Sequence, residues 1–302
     1  MKWKWLSSIL LLALMFSLCS QPQESSHFNT SLDDTRYPVV EGYRTRIVSL
    51  APSITEILFA LGAGDRVVGV TEYCNYPPEV LKLKKEGKIQ TIGGYSTVNV
   101  EKVVSLNPDI VIATYGNGIE TIETLRKTFK LYVIAFDPKN VSDVERQILT
   151  IGKAIGNYDE AEKLVENMEK RLRKVEEEAK KIEKKKVVHI LWNDPIYVSG
   201  KETFIDEAIT LAGGENAFNF SGWKIVSIED IISANPDVVI VNSGGGMGGG
   251  EDLLYKWFIG EKRFQAINAT KNGKVFIIDA DLISRPSYRI VDAIEQIQKF
   301  LR

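Results

Sequence analysis

The residues of this 302-residue chain best suited to chemistry are aromatic, and they fall at the ends of apolar runs. Tyr73 and Tyr76 follow the run 67–70. Tyr95 lies in Gly93-Gly94-Tyr95-Ser96, and Tyr115 follows the run 109–113. Trp192 ends the run 187–192, and Trp223 stands just before Val226. An aromatic side chain offers a large apolar face with a polar edge, which suits reversible contact with a bulky, flat ligand. Arg285, in Ser284-Arg285-Pro286, adds a guanidinium able to meet a carboxylate or phosphate. Covalent chemistry has little to work with. Of the two histidines, His27 lies in a polar N-terminal stretch, and His189 lies inside an apolar run, where it reads as a core residue. The patterns G-x-S-x-G, H-E-x-x-H and G-x-x-x-x-G-K-[ST] are absent from the sequence. The tract GGGMGGG at 244–250 contains G-x-G-x-x-G trivially and sits late in the chain. It reads as a mobile loop rather than a dinucleotide cradle. No catalytic residue, metal or cofactor is assigned. A hydrolase or metal-dependent enzyme on a two-lobe scaffold would need a convergent set of groups that the sequence does not display.

These aromatics need a scaffold, and the composition supplies one. Hydrophobic residues make up 44% and charged residues 26%, as in a packed globular protein. The formal net charge of −2 argues against non-specific binding of nucleic acid, which needs a basic face. From Arg46 onward short apolar runs alternate with helical patterns, the signature of an α/β layer with a mainly parallel sheet. Strands are expected at 47–50, 67–70, 109–113 and 131–135, with helices at 100–106, 119–128 and 141–156. Ser53 and Glu56 have capping-box spacing at the start of the first helix, whose face holds Ile57, Leu58 and Leu61. Tyr76-Pro77-Pro78 is expected to break regular structure. After Lys186 the alternation resumes, with strands at 187–192, 238–241 and 275–278 and helices at 203–212, 228–234 and 287–301.

Between these two stretches, Ala161, Leu164, Val165, Met168, Leu172, Val175, Ala179 and Ile182 recur at spacings of three and four. They predict one amphipathic helix with a thin apolar stripe over 157–186. A coiled-coil partner is the competing reading. A backbone helix laid across two lobes is favoured.

An internal repeat supports two lobes. Residues 98–116, VNVEKVVSLNPDIVIATYG, and 226–244, VSIEDIISANPDVVIVNSG, agree at nine of nineteen positions. Each copy reads as a short helix, an Asn-Pro-Asp turn and an apolar strand. The expected organisation is therefore an N-terminal lobe at 45–156, the connecting helix at 157–186 and a C-terminal lobe at 187–302. A ligand cleft would lie between the lobes, where strand-end loops from both meet.

Residues 1–19 read as a signal peptide. Lys2 and Lys4 precede an apolar run that is short for a membrane span and ends at Cys19. Cys19 is the expected lipidation site, although Leu18 replaces the usual small residue before it. Residues 20–44 read as a flexible tether, and Cys74 as an unpaired, buried residue.

RIVSLAPSITEILFALGAGDRVVGVTEYCNYPPE and GGYSTVNVEKVVSLNPDIVIA resemble the opening lobe of periplasmic substrate-binding proteins of ABC importers. YVSGKETFIDEAITLAGGENAF and SRPSYRIVDAIEQI look like the second lobe of the same family. The likeness is to the group with two lobes joined by a long helix, which serves cobalamin, ferric siderophores and haem. It is greatest to the cobalamin-binding members, and it covers residues 45–302. The resemblance implies an exported, lipid-anchored monomer that is not an enzyme. Its ligand would be a corrinoid or another metal-bearing chelate, and its partner an ABC permease dimer with its ATPase. It places Tyr73, Tyr95, Trp192, Trp223 and Arg285 at the ligand, and Tyr115, next to Thr114, remains a candidate from its position after a run. Tyr95 stands where a tryptophan is usual, and Thr114 where another aromatic is usual. It also implies that Glu101 and Glu229, at equivalent positions of the repeat, dock on permease arginines. The bland reading of each is a glutamate favoured at a helix N-terminus.

Overall fold

The computed structural model describes residues 41–243 and 252–302. The expected signal peptide, Cys19, the glycine tract and the tether up to residue 40 lie outside the described residues. In chain order the strands are β1 Ile47–Ser49, β2 Val67–Val70, β3 Gln90–Thr91, β4 Ile110–Thr114 and β5 Val133–Phe136. They continue with β6 Lys186–Asn193, β7 Ile196–Ser199, β8 Glu215–Asn216, β9 Trp223–Ile225, β10 Val238–Ser243 and β11 Val275–Asp279. The helices are α1 Pro52–Ala60, α2 Pro78–Lys85, α3 Val100–Ser105, α4 Ile119–Glu123, α5 Val141–Ile155 and α6 Tyr158–Ala179. In the second half they are α7 Phe204–Leu211, α8 Ile228–Ala234, α9 Leu253–Gly260, α10 Asn268–Lys271, α11 Ala280–Ser284 and α12 Ile290–Leu301.

Two sheets form two lobes. The first is parallel throughout, in the order β3-β2-β1-β4-β5. Its central strands β1 and β4 are buried on both faces, which is why they read as unbroken apolar runs. The second sheet has the order β11-β10-β6-β7-β9, with β8 beside β6. β10 runs parallel to β6 and β11, whereas β7 is antiparallel to both β6 and β9.

The repeat is the same construction built twice. In each copy a polar side chain caps the helix: Asn99 accepts from Lys102 N, and Ser227 accepts from Asp230 N. In each, the asparagine of Asn-Pro-Asp takes a left-handed backbone, with φ 45° at Asn107 and 43° at Asn235. Asparagine tolerates that region better than most side chains. The aspartate then ties its own strand to the start of a neighbour. Asp109 Oδ2 accepts from Thr45 N at 2.9 Å and Arg46 N at 3.0 Å, just before β1. Asp237 Oδ2 accepts from Lys186 N at 3.0 Å, at the start of β6.

Four expectations are corrected. The connecting helix ends at Ala179, not 186. Just past it the amides of Lys181 and Ile182 donate to carbonyls three residues back, and the lysine-rich stretch that follows leads straight into β6. Pro78 starts α2 rather than ending structure, because a proline has no N–H to lose in the first turn. The closing helix begins at Ile290, since the Ser287 hydroxyl is held by a carboxylate of the other lobe. The tether stops short of residue 44, where Arg66 donates to Arg44 O and lies over the Tyr43 ring.

α6 joins the lobes as expected, by packing on α5 of the first and on α7 and α12 of the second. Its contact with α5 requires Gly152, since a Cβ there would approach the Ala161 Cβ to 2.5 Å. On the other side Arg171 forms ion pairs with Asp292 and Glu295 of α12.

His189 is buried in β6, with Nε2 2.8 Å from Asn242 Oδ1 on β10. Burial lowers its pKa from 6.5 to about 4, against the Asn242 bond, which raises it. The unfolded chain therefore binds one more proton than the folded chain between these two values. Stability from this group is present above the unfolded pKa and is lost as pH falls toward the folded one. At ~1.4 kcal/mol per unit, the shift corresponds to about 3 kcal/mol. Thermal melts should show Tm falling between about pH 7 and about pH 4, and His189→Gln should flatten that fall. Equal slopes in both proteins would exclude His189 as the titrating group.

Candidate functional site

The first-lobe aromatics stand on loops that leave the sheet at its strand ends. Tyr73 follows β2 and is 51% exposed, with a hydrogen bond to Glu72 and the negative charge of that carboxylate holding its phenol above the usual range. Tyr95 follows β3 and is 37% exposed. Its hydroxyl lies 2.8 Å from Thr114 Oγ1 at the end of β4, and Asn117 Nδ2 donates to its carbonyl. Gly116 leaves room for that ring, because a Cβ there would collide with the Tyr95 hydroxyl. The Tyr73 ring lies beside Gly94, 3.7 Å from where a Cβ would stand. Tyr73, Tyr95 and Thr114 thus share one rim. Tyr115 sits next to this rim but packs against the first-lobe core.

In the second lobe Trp192 ends β6, is 41% exposed and donates from Nε1 to Asp194 O at 3.0 Å. Trp223, 37% exposed, stacks on Tyr197 with ring centres 6.0 Å apart and meets the edge of His189 at 6.2 Å. Tyr197 pairs with Trp192 across the β6–β7 hairpin. It therefore bridges the two tryptophans, and the sequence reading missed it. The signal was present: Trp-Asn-Asp-Pro-Ile-Tyr is two strand-forming ends around an Asp-Pro turn.

Arg285 has a different setting from the one expected. It is only 9% exposed, and its guanidinium faces protein groups. Nη1 donates to Glu56 Oε1 at 2.9 Å and to Asn75 Oδ1 at 2.7 Å, while Nη2 reaches Asp281 Oδ2 at 2.7 Å and Tyr73 O at 3.3 Å. Glu56 is fully buried on α1 and makes no cap there; Ala51 is the cap residue and offers no side-chain bond. The expected capping box is therefore absent. Burial raises the Glu56 carboxyl pKa, and the bonds and charges of Ser287, Arg285 and Arg289 oppose that rise. Cys74 is free and buried, accepting from Thr55 Oγ1.

Glu101 is exposed in the first turn of α3. Glu229 holds the same place on α8, and its carboxylate meets Arg263 at 3.2 Å. A separate cavity of about 220 Å³ opens between α5, α6 and α7. It is lined by Glu145, Glu169, Glu176 and Glu207 and contains none of the aromatics. Among the described residues no helix is long and apolar enough to cross a membrane.

The same architecture occurs in known proteins. Residues 47–282 match the family described as periplasmic binding protein. The chain is 33% identical to the Bacillus subtilis protein named uncharacterized ABC transporter substrate-binding lipoprotein YvrC, over 96% of this chain and 94% of that one. The crystal structure of the vitamin B12 binding protein BtuF of Vibrio cholerae superposes with a TM-score of 0.72 at 28% identity, covering 85% of this chain and 96% of BtuF. The heme-binding protein RhuT from Roseiflexus sp. RS-1 superposes with a TM-score of 0.73, also at 28% identity, covering 86% of this chain and all of RhuT. Two α/β lobes, one joining helix and a match across most of the body lead to one conclusion: this chain belongs to the periplasmic binding protein family, as a substrate-binding protein of the ABC-transporter type.

Proposed function

We propose that this is an exported, lipid-anchored protein that captures a corrinoid between its lobes and delivers it to an ABC importer. The observation that carries the reading is the pair of half-exposed aromatic groups, Tyr73 with Tyr95 on one lobe and Trp192 with Trp223 on the other. Large rings left at a third to a half exposure are apolar surface that a ligand can cover. Covering the open part of one such ring removes roughly 80 Å² from water, about 2 kcal/mol at ~25 cal/mol per Å². Tyr115 widens the first-lobe rim, and Arg285 braces it from below. Similarity to B12-binding relatives supports the corrinoid. The protein needs no covalent step, only capture and release.

Cyanocobalamin should bind at one site per chain and quench tryptophan fluorescence. Trp192→Ala and Trp223→Ala should each weaken it about 10- to 30-fold. Saturable binding of haem or a ferric siderophore, with no response to cyanocobalamin, would keep the transport role and replace the ligand.

Delivery rests on Glu101 and Glu229. An exposed ion pair contributes little, about 0–1 kcal/mol, so a permease arginine can displace Arg263 from Glu229 at small cost. A matched pair of such charges sets orientation and association rate. Glu101→Arg combined with Glu229→Arg should abolish import while cyanocobalamin affinity stays unchanged. Normal import by the double variant would leave both as ordinary helix-end charges.

Attachment rests on Cys19. Cys19→Ser should move the protein from the membrane fraction to the soluble fraction without altering affinity. Unchanged membrane association would rule out the lipid anchor.

A further inference from the structure

The junction between the lobes contains a charge cluster with no counterpart elsewhere among the described residues. Glu56 Oε1 of the first lobe accepts from Arg285 Nη1 at 2.9 Å and Arg289 Nη1 at 3.2 Å of the second. Its Oε2 accepts from Ser287 Oγ at 2.5 Å. Asp281 completes the cluster by pairing with Arg285 and accepting from Asn75 Nδ2 at 2.9 Å. Two carboxylates thus face two guanidinium groups, so the cluster is neutral as a whole.

The same groups grip the loop that carries Tyr73. Arg285 donates to the Tyr73 carbonyl and to the Asn75 side chain, and the Arg289 guanidinium lies 3.7 Å from the centre of the Tyr76 ring. One buried carboxylate therefore touches both arginines that hold three of the four residues from Tyr73 to Tyr76. A removed charge at Glu56 would leave Asp281 as the one carboxylate of the cluster facing two guanidinium groups.

The geometry points to Glu56 as a positioning residue for ligand capture. Through Arg285 and Arg289 it fixes the Tyr73 rim of the first lobe at a set distance from the second lobe before ligand arrives. Glu56 touches no ligand itself. The α6 helix constrains the lobes on one side, and Glu207 of α7, accepting from Val141 N at 2.8 Å, adds a second tie there. The Glu56 cluster is the tie beside the aromatic rim. A rim held in place loses less freedom on binding, which is the basis of preorganised affinity.

This inference rests on the proposed capture role for its effect on affinity, but not for its structural part. Hydrogen–deuterium exchange of the ligand-free protein is the test. In Glu56→Gln, amides at 72–76 and 281–289 should exchange at least tenfold faster, while those of β4 and β10 keep their protection. Ser287→Ala, which removes one donor and no charge, should show the same pattern more weakly, and it serves if Glu56→Gln fails to fold. Cyanocobalamin affinity should fall about tenfold in Glu56→Gln, mainly through faster release. Uniformly faster exchange in both sheets would make Glu56 a general core residue and overturn the inference. Unchanged exchange at 72–76 and 281–289 would overturn it as well. Local exchange as expected without any cyanocobalamin binding to the unaltered protein would leave the positioning role standing and remove the corrinoid.

Discussion

A carboxylate in the interior cannot be left alone. Removing an ion from water costs several kcal/mol even after the surroundings relax, and only close, well-directed partners offset it. Among the described residues Glu56 pairs with no first-lobe cation, and its partners come from Arg285 and Arg289, 229 and 233 residues away. That requirement dictates much of the architecture. The second lobe must return to the first after its sheet is complete, and the α11–α12 segment must arrive with Arg285, Ser287 and Arg289 in reach. Such pairs are weak evidence for stability and better evidence for specificity of arrangement. Here the arrangement specified is the placement of one lobe against the other.

The duplicated unit explains how two lobes of similar plan can come from one chain. A capped helix, a left-handed asparagine and an aspartate bound to the next strand form a self-contained local instruction. Each copy seats a strand in the middle of a sheet: β4 lies between β1 and β5, and β10 lies between β6 and β11. Duplication also duplicates surface. Glu101 and Glu229 inherit equivalent positions in the first turn of their helices, where the helix dipole favours a carboxylate. The two sites are not equivalent in their neighbours, because Arg263 meets Glu229 in the second lobe.

What was legible in the sequence was whatever has a short-range signature. The apolar patterning revealed β1, β2, β4, β5, β6, β10 and β11, the two repeat helices and the existence of α6, because each needs only its own residues to show a buried face, whereas β3, β7, β8 and β9 are too short or too exposed to carry that signal. Aromatics at run ends were legible for the same reason. What was not legible depends on partners distant in the chain. Ser53 and Glu56 have capping spacing, yet tertiary pairing claimed Glu56 for the other lobe. Arg285 looked free for a ligand because, Asp281 apart, the groups it binds (Glu56, Asn75 and the Tyr73 carbonyl) lie more than 200 residues away in sequence. The end of α6 at Ala179 was hidden because Ile182 continues the apolar spacing after the helix has stopped. Tyr197 was overlooked because its importance appears only when the β6–β7 hairpin sets it beside Trp192 and under Trp223.

These features bear on how a binding protein without a flexible hinge can still release its ligand. A continuous helix resists bending, since bending lengthens backbone hydrogen bonds on one side. With both α6 and the Glu56 cluster tying one lobe to the other, closure of whole lobes around a ligand is a poor route to affinity. Affinity must then come from surface already in place, which agrees with aromatic rings that stand half-exposed yet are individually fixed. Tyr95 is held by Thr114, Trp192 by Asp194 and Trp223 by Tyr197. In the proposed delivery role release comes from pulling the lobes apart, and the first turns of α3 and α8, with Glu101 and Glu229, are one handle on each lobe. A force applied there would act against the junction, so in that role the buried charges proposed to set the rim would also set how much work an importer must do to open it.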